Sequence, residues 1–299
     1  MTDLEKSKLG IPEKDRVPIP RLSPTAINTW YKCPRELYFT KISKVKTLPN
    51  IHLIKGSVVH KTLEIFFKAY KPPLKLRMKE LFIKEWKSVG GELKQLDMTP
   101  KELNLDKKDA FRMVMDYYEV IHRKIDGLVL AGKAENDKHA YFLLKPKMKE
   151  LWVEDKDVHC GGYIDVVYKD FDGQTVLGDY KTSKRYGIGL SHSYQRQLAI
   201  YALLYKNHTG IMPDMVSIIF LRYGEEVLLG VTPSVIKYAR ESIKTVWDKT
   251  RSVDIKDYPA HEGKLCGWCS FNNICSGKEE QDATYRKDAL KKMLEAKKK

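Results

Sequence analysis

The sequence lacks several features that would each point to a class of protein. Its 299 residues contain no run of 18 uninterrupted apolar residues, so no segment reads as a membrane-spanning helix. Residues 1–16 intersperse charges where an export signal needs an apolar stretch, so a cytoplasmic protein with no membrane partner is expected. Cysteine is scarce and odd in number, five in all, which argues against a disulfide framework and leaves metal binding or plain burial. There is no internal repeat, and the only low-complexity tract is the Lys-rich end at 291–299. Positive charge, in contrast, is abundant: 54 Lys+Arg against 39 Asp+Glu give a net charge of +15. In a chain with 42% hydrophobic residues, this describes a folded protein whose favoured partner is a polyanion, most simply nucleic acid. The excess is uneven, since residues 32–87 hold 14 Lys+Arg and 4 Glu with no Asp.

Periodicity divides the chain into a helical first half and a mixed second half. Residues 1–20, with Pro12, Pro18 and Pro20 and no apolar period, read as a flexible arm. Ser23-Pro24 is an N-cap with proline at the first helical position, opening a helix to about Lys41 that is stepped at Cys33-Pro34. A second helix is predicted over Gly56 to Tyr70, with Val59, Leu63, Phe66 and Phe67 as its apolar stripe and His60 at the edge. Further helices are predicted near Leu76 to Leu96 and Leu103 to Leu130. After Gly132, strands are predicted at His139–Lys145, Lys149–Asp155, Gly162–Lys169 and Thr175–Lys181, the last two joined by the Asp172-Gly173 turn. Tyr194–Asn207 is helical, Met215–Arg222 and Glu226–Val231 are strands, and Pro233–Thr250 is helical. The expected domains are 21–132 (helical), 133–250 (a mixed α/β core), 251–277 (cysteine-bearing) and a basic tail, 278–299.

Three groups of residues carry chemistry. Asp165 sits inside the apolar strand Tyr163-Ile164-Asp165-Val166-Val167, where a carboxylate is costly unless it is paired or ligates a metal. Across the turn, Asp179 and Lys181 project to one face of their strand. A hairpin would let Asp165 and Asp179 converge on one hard cation, Mg2+ or Mn2+, with the Lys181 ammonium near a phosphate's developing charge. Acidic-x-Lys triplets also occur at 92–94, 154–156 and 254–256, and a solvated ion pair is the plain alternative; only the 179–181 copy follows a strand-embedded aspartate. Glu154 is a candidate additional ligand. Gln197 and Tyr201, four apart on a helix, form a polar face suited to a phosphate or base, or simply to solvent. Lastly, Cys266, Cys269 and Cys275 cluster near the C-terminus, with Cys33 lying 233 positions before Cys266. Three clustered cysteines plus a distant fourth suit an iron–sulfur site, with His261 able to complete a zinc site instead, and Cys160 is left as a buried residue.

Taken together, these residues resemble the RecB-like branch of the PD-(D/E)XK nuclease superfamily: the iron–sulfur exonucleases of CRISPR systems, their phage relatives, and the AddB nuclease domain. The segments that carry the resemblance are Leu22-Ser23-Pro24-Thr25, Tyr31 to Phe39, Gly56-x3-His60, Gly162-x2-Asp165, Asp179-Tyr180-Lys181-Thr182, Gln197-x3-Tyr201 and the three C-terminal cysteines. Asp179 stands where many members have glutamate. The resemblance implies a restriction-endonuclease-like sheet flanked by helices. It implies a metal site of His60, Asp165, Asp179 and the Tyr180 carbonyl, with Asp165, Asp179 and Lys181 as catalytic residues and Gln197 and Tyr201 as DNA contacts. It further implies a [4Fe-4S] cluster on Cys33, Cys266, Cys269 and Cys275. The activity implied is Mg2+- or Mn2+-dependent exonuclease action on single-stranded or end-bearing duplex DNA, with integrase, helicase or recombination proteins as candidate partners. A non-catalytic DNA-end-binding or assembly subunit is the competing reading, disfavoured by the intact Asp165, Asp179 and Lys181 set. The basic 32–87 stretch would then lead DNA to the metal site, with binding that weakens steeply with salt.

Overall fold

The structure is a computed structural model that describes residues 10–47, 49–184 and 189–275. The basic tail at 278–299 and residues 1–9 of the expected arm lie outside the described residues. Contacts divide the chain into two compact units that cut across sequence order. One gathers Met1–Leu48, Lys156–Cys160 and Glu241–Lys299, and the other Pro49–Asp155 and Gly161–Arg240.

The first unit joins the two ends of the chain. Ser23 caps α1 (Pro24–Lys32) by accepting from the Ala26 N–H at 3.1 Å. Cys33 is extended, as the residue before a proline prefers, and the chain restarts as α2 (Pro34–Leu37) and a π-turn over Tyr38–Ile42. Trp30 and Tyr38 both pack against Tyr258, with ring centroids 5.6 and 5.2 Å apart, and Phe39 meets Phe271 at 5.4 Å. Arg35 Nε donates to the Tyr258 carbonyl at 2.7 Å. Residues 10–20 leave most of their side chains exposed but are anchored at three points. The Ile11 N–H donates to the Ser43 carbonyl, Arg16 reaches the Tyr38 hydroxyl, and Ile19 is buried while its carbonyl accepts from Arg251. These isolated anchors have no period, so sequence patterning does not register them.

In the second unit, a helical layer lies on one face of a sheet. The helices are α3 (Ile51–Phe66), α4 (Leu74–Ser88), α5 (Gly90–Leu93), α6 (Pro100–Leu130) and α7 (Asp137–Leu144). Asn50 caps α3 by accepting from the His52 N–H, so the helix begins five residues before the predicted Gly56. Thr99 and Glu102 form a reciprocal capping box on α6 behind Pro100. Ile54, Val58, Leu63 and Phe66 of α3 share a core with Met78 and Phe82 of α4 and Met113 and Val114 of α6. The stretch 139–145, predicted as a strand, is helical. Asn136 accepts from the His139 N–H, and the Tyr141 hydroxyl donates to the Phe66 and Ala69 carbonyls, drawing the run onto the helical layer. An asparagine N-cap here outweighs a short apolar run that fits either period.

The strands are β1 (Met148–Asp155), β2 (Cys160–Lys169), β3 (Thr175–Lys181), β4 (Met215–Phe220) and β5 (Glu225–Gly230), neighbours in that order in one sheet. β2 and β3 form the predicted antiparallel hairpin, with Gly173 at φ +79° in its turn. The connection from β3 to β4 passes through α8 (His192–Thr209) and is parallel, whereas β5 is antiparallel to β4. α9 (Pro233–Lys249) follows. The result is a mixed α/β fold.

An ion network ties α3 to α6 and to the end of β4. Lys55, 6% exposed, lies 2.7 Å from Asp106 and 2.8 Å from Asp109, and Asp109 also takes a two-pronged contact from Arg222. The Arg222 hydrogen bond, outweighing the effect of burial and reinforced by Lys55, holds the Asp109 carboxyl far below the ordinary range. Asp109→Ala would leave the buried Lys55 with Asp106 alone and the half-buried Arg222 without this carboxylate, so urea unfolding is expected to show a loss of about 2 kcal/mol. Because the folded-state value is depressed, Asp109's contribution to stability is fully present above about pH 4 and disappears as pH falls from there.

Candidate active site

The site forms where the β2–β3 ladder ends. Paired register runs from Lys169↔Thr175 to Val166↔Gly178; one residue further on, the Asp165 side chain substitutes for the ladder, its Oδ2 accepting the Tyr180 N–H at 2.7 Å. That same oxygen lies 3.4 Å from His60 Nδ1, and the His60 ring packs edge-on against Tyr180 at 5.8 Å. Burial alone would lower the imidazole's pKa, but the hydrogen bond to Asp165 and the charges of Asp165 and Asp179 raise it above its ordinary value. Ligand atoms of His60, Glu150 and Asp165 all lie within 4.8 Å of one another. They open on a cavity of about 630 Å³ lined also by Gly56, Lys181 and Thr182. Glu150 holds φ +49° inside β1, a left-handed conformation uncommon for a non-glycine residue. Burial, and then the charge of Asp165, push its carboxyl upward.

Asp179 is 3% exposed and is held from two sides. Lys181 Nζ lies 2.6 Å from Oδ2, and Gln197 Nε2 donates to Oδ1 at 2.9 Å and to the Tyr201 hydroxyl at 3.2 Å. Oδ2 has no well-aligned hydrogen bond, so the ammonium is its main company. Burial raises the Asp179 carboxyl against the pull of Lys181, and Asp165 raises it further. Lys181, for its part, is kept protonated, because Asp179 outweighs the desolvation that would lower it. Glu150 and Asp179, each raised by burial and by the charge of Asp165, are a poor resting arrangement of anions and a good seat for a cation.

The ligand atoms that converge are those of His60, Glu150 and Asp165, while Asp179 is engaged by Lys181 and Gln197. Glu150, four residues before the candidate Glu154 on β1, is the glutamate that reaches this group. The polar face expected at Gln197 and Tyr201 is not solvated. Both are buried, at 8% and 7% exposure, and α8 is buried continuously from Gln197 to Tyr205. Glu64 is taken up by ion pairs with Lys61 and Lys68.

The four remaining cysteines lie within the first unit. Cys33, Cys266, Cys269 and Cys275 line one cavity of about 670 Å³ with Phe39 and Phe271. All four are partly exposed, whereas Cys160 is fully buried at the start of β2. The His261 N–H donates to Cys33 Sγ at 3.5 Å and the Gly263 N–H to Cys266 Sγ at 3.4 Å. Among the described residues, no three of these sulfurs fall within 4.8 Å of one another. A single zinc ion would require that, since Zn–S bonds of about 2.3 Å set sulfurs roughly 4 Å apart.

Adjacent antiparallel strands thus bring an aspartate beside an Asp-x-Lys triplet at one end of the sheet, and such carboxylates next to an ammonium suit metal-assisted phosphodiester chemistry. The chain belongs to the PD-(D/E)XK nuclease superfamily, whose profile matches residues 21–276. Among solved structures, it is similar to a Eubacterium rectale protein named "Putative exonuclease", at 15% identity and a TM-score of 0.45, covering 85% of this chain and 88% of that one. It is also similar to a protein named SSO0001, at 12% identity and a TM-score of 0.31, covering 76% of this chain and 97% of that one. No curated protein matches it. Among the described residues, no helix is long and apolar enough to cross a membrane.

Proposed function

We propose that the chain is a Mg2+- or Mn2+-dependent DNA exonuclease of the RecB-like type, cutting phosphodiesters at DNA ends. The observation that carries this reading is the meeting of His60, Glu150 and Asp165 at an open cavity beside the Asp179–Lys181 pair. His60, Glu150 and Asp165 would hold a divalent ion, with Asp179 Oδ2 as the further oxygen. Such an ion, when bound, activates a water and neutralises charge on the phosphate. Lys181 brings a permanently charged ammonium to the same place, suited to orienting the water or steadying the phosphorane charge. Gln197, backed by Tyr201, fixes Oδ1 of Asp179 so that Oδ2 keeps its aim; their part is positioning.

The second component of the proposal is a [4Fe-4S] cluster on Cys33, Cys266, Cys269 and Cys275. Partly exposed thiols around one cavity, two of them already accepting backbone N–H groups, fit a thiolate-held group.

End-labelled linear and circular DNA incubated with Mg2+, Mn2+ or EDTA tests the reading. Digestion of the linear form alone, abolished by EDTA, is the expected result. Tight end binding without any cleavage would instead favour a non-catalytic DNA-binding subunit.

A further inference from the structure

Beside the carboxylates lies an aromatic pair that the proposed chemistry leaves unused. Trp152 of β1 and Tyr163 of β2 touch, with ring centroids 4.8 Å apart and planes tilted by 59°. Their sequence neighbours Val153 and Ile164 are fully buried, so strand alternation turns the two rings to the opposite side, the side to which Asp165 projects. Tyr163 is 54% exposed, unusual for an aromatic that already has a packing partner. The indole rests across Gly161: a Cβ there would lie 3.0 and 3.3 Å from two of its ring carbons, so the glycine leaves room for the ring. The lead into β1 is basic, with Lys145, Lys147 and Lys149 at alternate positions before Glu150.

We propose that Trp152 and Tyr163 form a stacking platform for an unpaired nucleobase, making single-stranded DNA the substrate presented to the site. This rests on the nuclease reading above. Asp165 is two residue steps along the strand from Tyr163, a rise of roughly 6.6 Å, of the order of one nucleotide. A base on the platform therefore places a neighbouring phosphate at the carboxylates. Aromatic faces among lysines are how single strands are held without sequence preference, and bases inside a duplex have no free face to offer.

Oligonucleotides carrying one abasic site at successive positions, used with the full-length protein, test this. Trp152→Ala and Tyr163→Ala are each expected to raise KM for a single-stranded oligonucleotide about tenfold, and Kd in EDTA by a similar factor. Tyr163→Phe recovers most of the loss, and Phe171→Ala, on an exposed aromatic at the β2–β3 turn, changes neither value. In the wild type, one abasic position costs about tenfold; in Tyr163→Ala the same position costs nothing. Equal sensitivity to that position in both proteins, or an unchanged KM in Tyr163→Ala, overturns the platform, including the case in which the aromatic pair serves a protein partner. If no metal supports cleavage but the abasic effect on Kd persists and depends on Tyr163, the nuclease reading falls and the platform stands.

Discussion

Asp179→Asn is expected to lower DNA cleavage by about 10³-fold or more, roughly 4 kcal/mol of transition-state stabilisation, while the protein stays folded. Asparagine keeps the shape of the side chain and can still accept the Gln197 amide, but its Nδ2 then faces the Lys181 ammonium, so the charge and the contact with Lys181 are lost together. The alanine variant is less informative, because it also removes the acceptor of the Gln197 amide and leaves a void at a buried position. Lys181→Gln should fall by a comparable factor for a different reason: the ion site remains, but the fixed positive charge beside it is lost. Glu150→Gln is expected to be milder, appearing as a higher metal concentration for half-maximal rate, since His60 and Asp165 remain. Single-turnover rates over a Mg2+ or Mn2+ titration, with circular dichroism and Kd in EDTA as controls, separate these effects. An Asp179→Asn protein that keeps more than a tenth of wild-type activity would remove this residue from the mechanism.

Much of this site is legible in the sequence because it depends on local rules. β3 is observed over Thr175–Lys181 as predicted, and the Asp-Gly turn pairs it with β2, so an aspartate inside an apolar run and an Asp-x-Lys triplet become neighbours by hairpin geometry alone. His60 depends on tertiary packing and was reachable only through the family resemblance; no spacing rule tells a ligand histidine from one that edges a core. Glu150 is not legible in the sequence, because its left-handed φ of +49° inside β1 and its approach to His60 and Asp165 are set by tertiary packing. The burial of Gln197 and Tyr201 was misread because a helix with polar side chains normally turns them outward. Here the buried Asp179 gives Gln197 a partner, and satisfying that carboxylate outweighs exposing the amide. The same logic explains the burial of Lys55, which lies between the carboxylates of Asp106 and Asp109.

Cys33→Ser is expected to abolish the visible absorbance and iron content of protein purified without oxygen, and to destabilise the first unit by several kcal/mol. Ligation would connect residue 33 to residue 266, closing a loop of 233 positions, and a crosslink of that span restricts the unfolded chain by roughly 5 kcal/mol on loop entropy. The loss is partial because other contacts join the same segments: Trp30 and Tyr38 against Tyr258, Arg35 on the Tyr258 carbonyl, and Arg251 on the Ile19 carbonyl. Limited proteolysis should therefore show new cleavage first within residues 10–47 and 250–275, where the four thiols lie, with the sheet unit cut later. Cys160→Ser is the internal control. Its thiol is fully buried at the start of β2 and is not among the residues lining the cysteine cavity, so the variant keeps its iron and colour even if the buried hydroxyl costs about 1 kcal/mol of stability. Zinc in place of iron, with no absorbance in either protein, would replace the cluster with a mononuclear site. It would also require the four sulfurs to draw closer than they stand here.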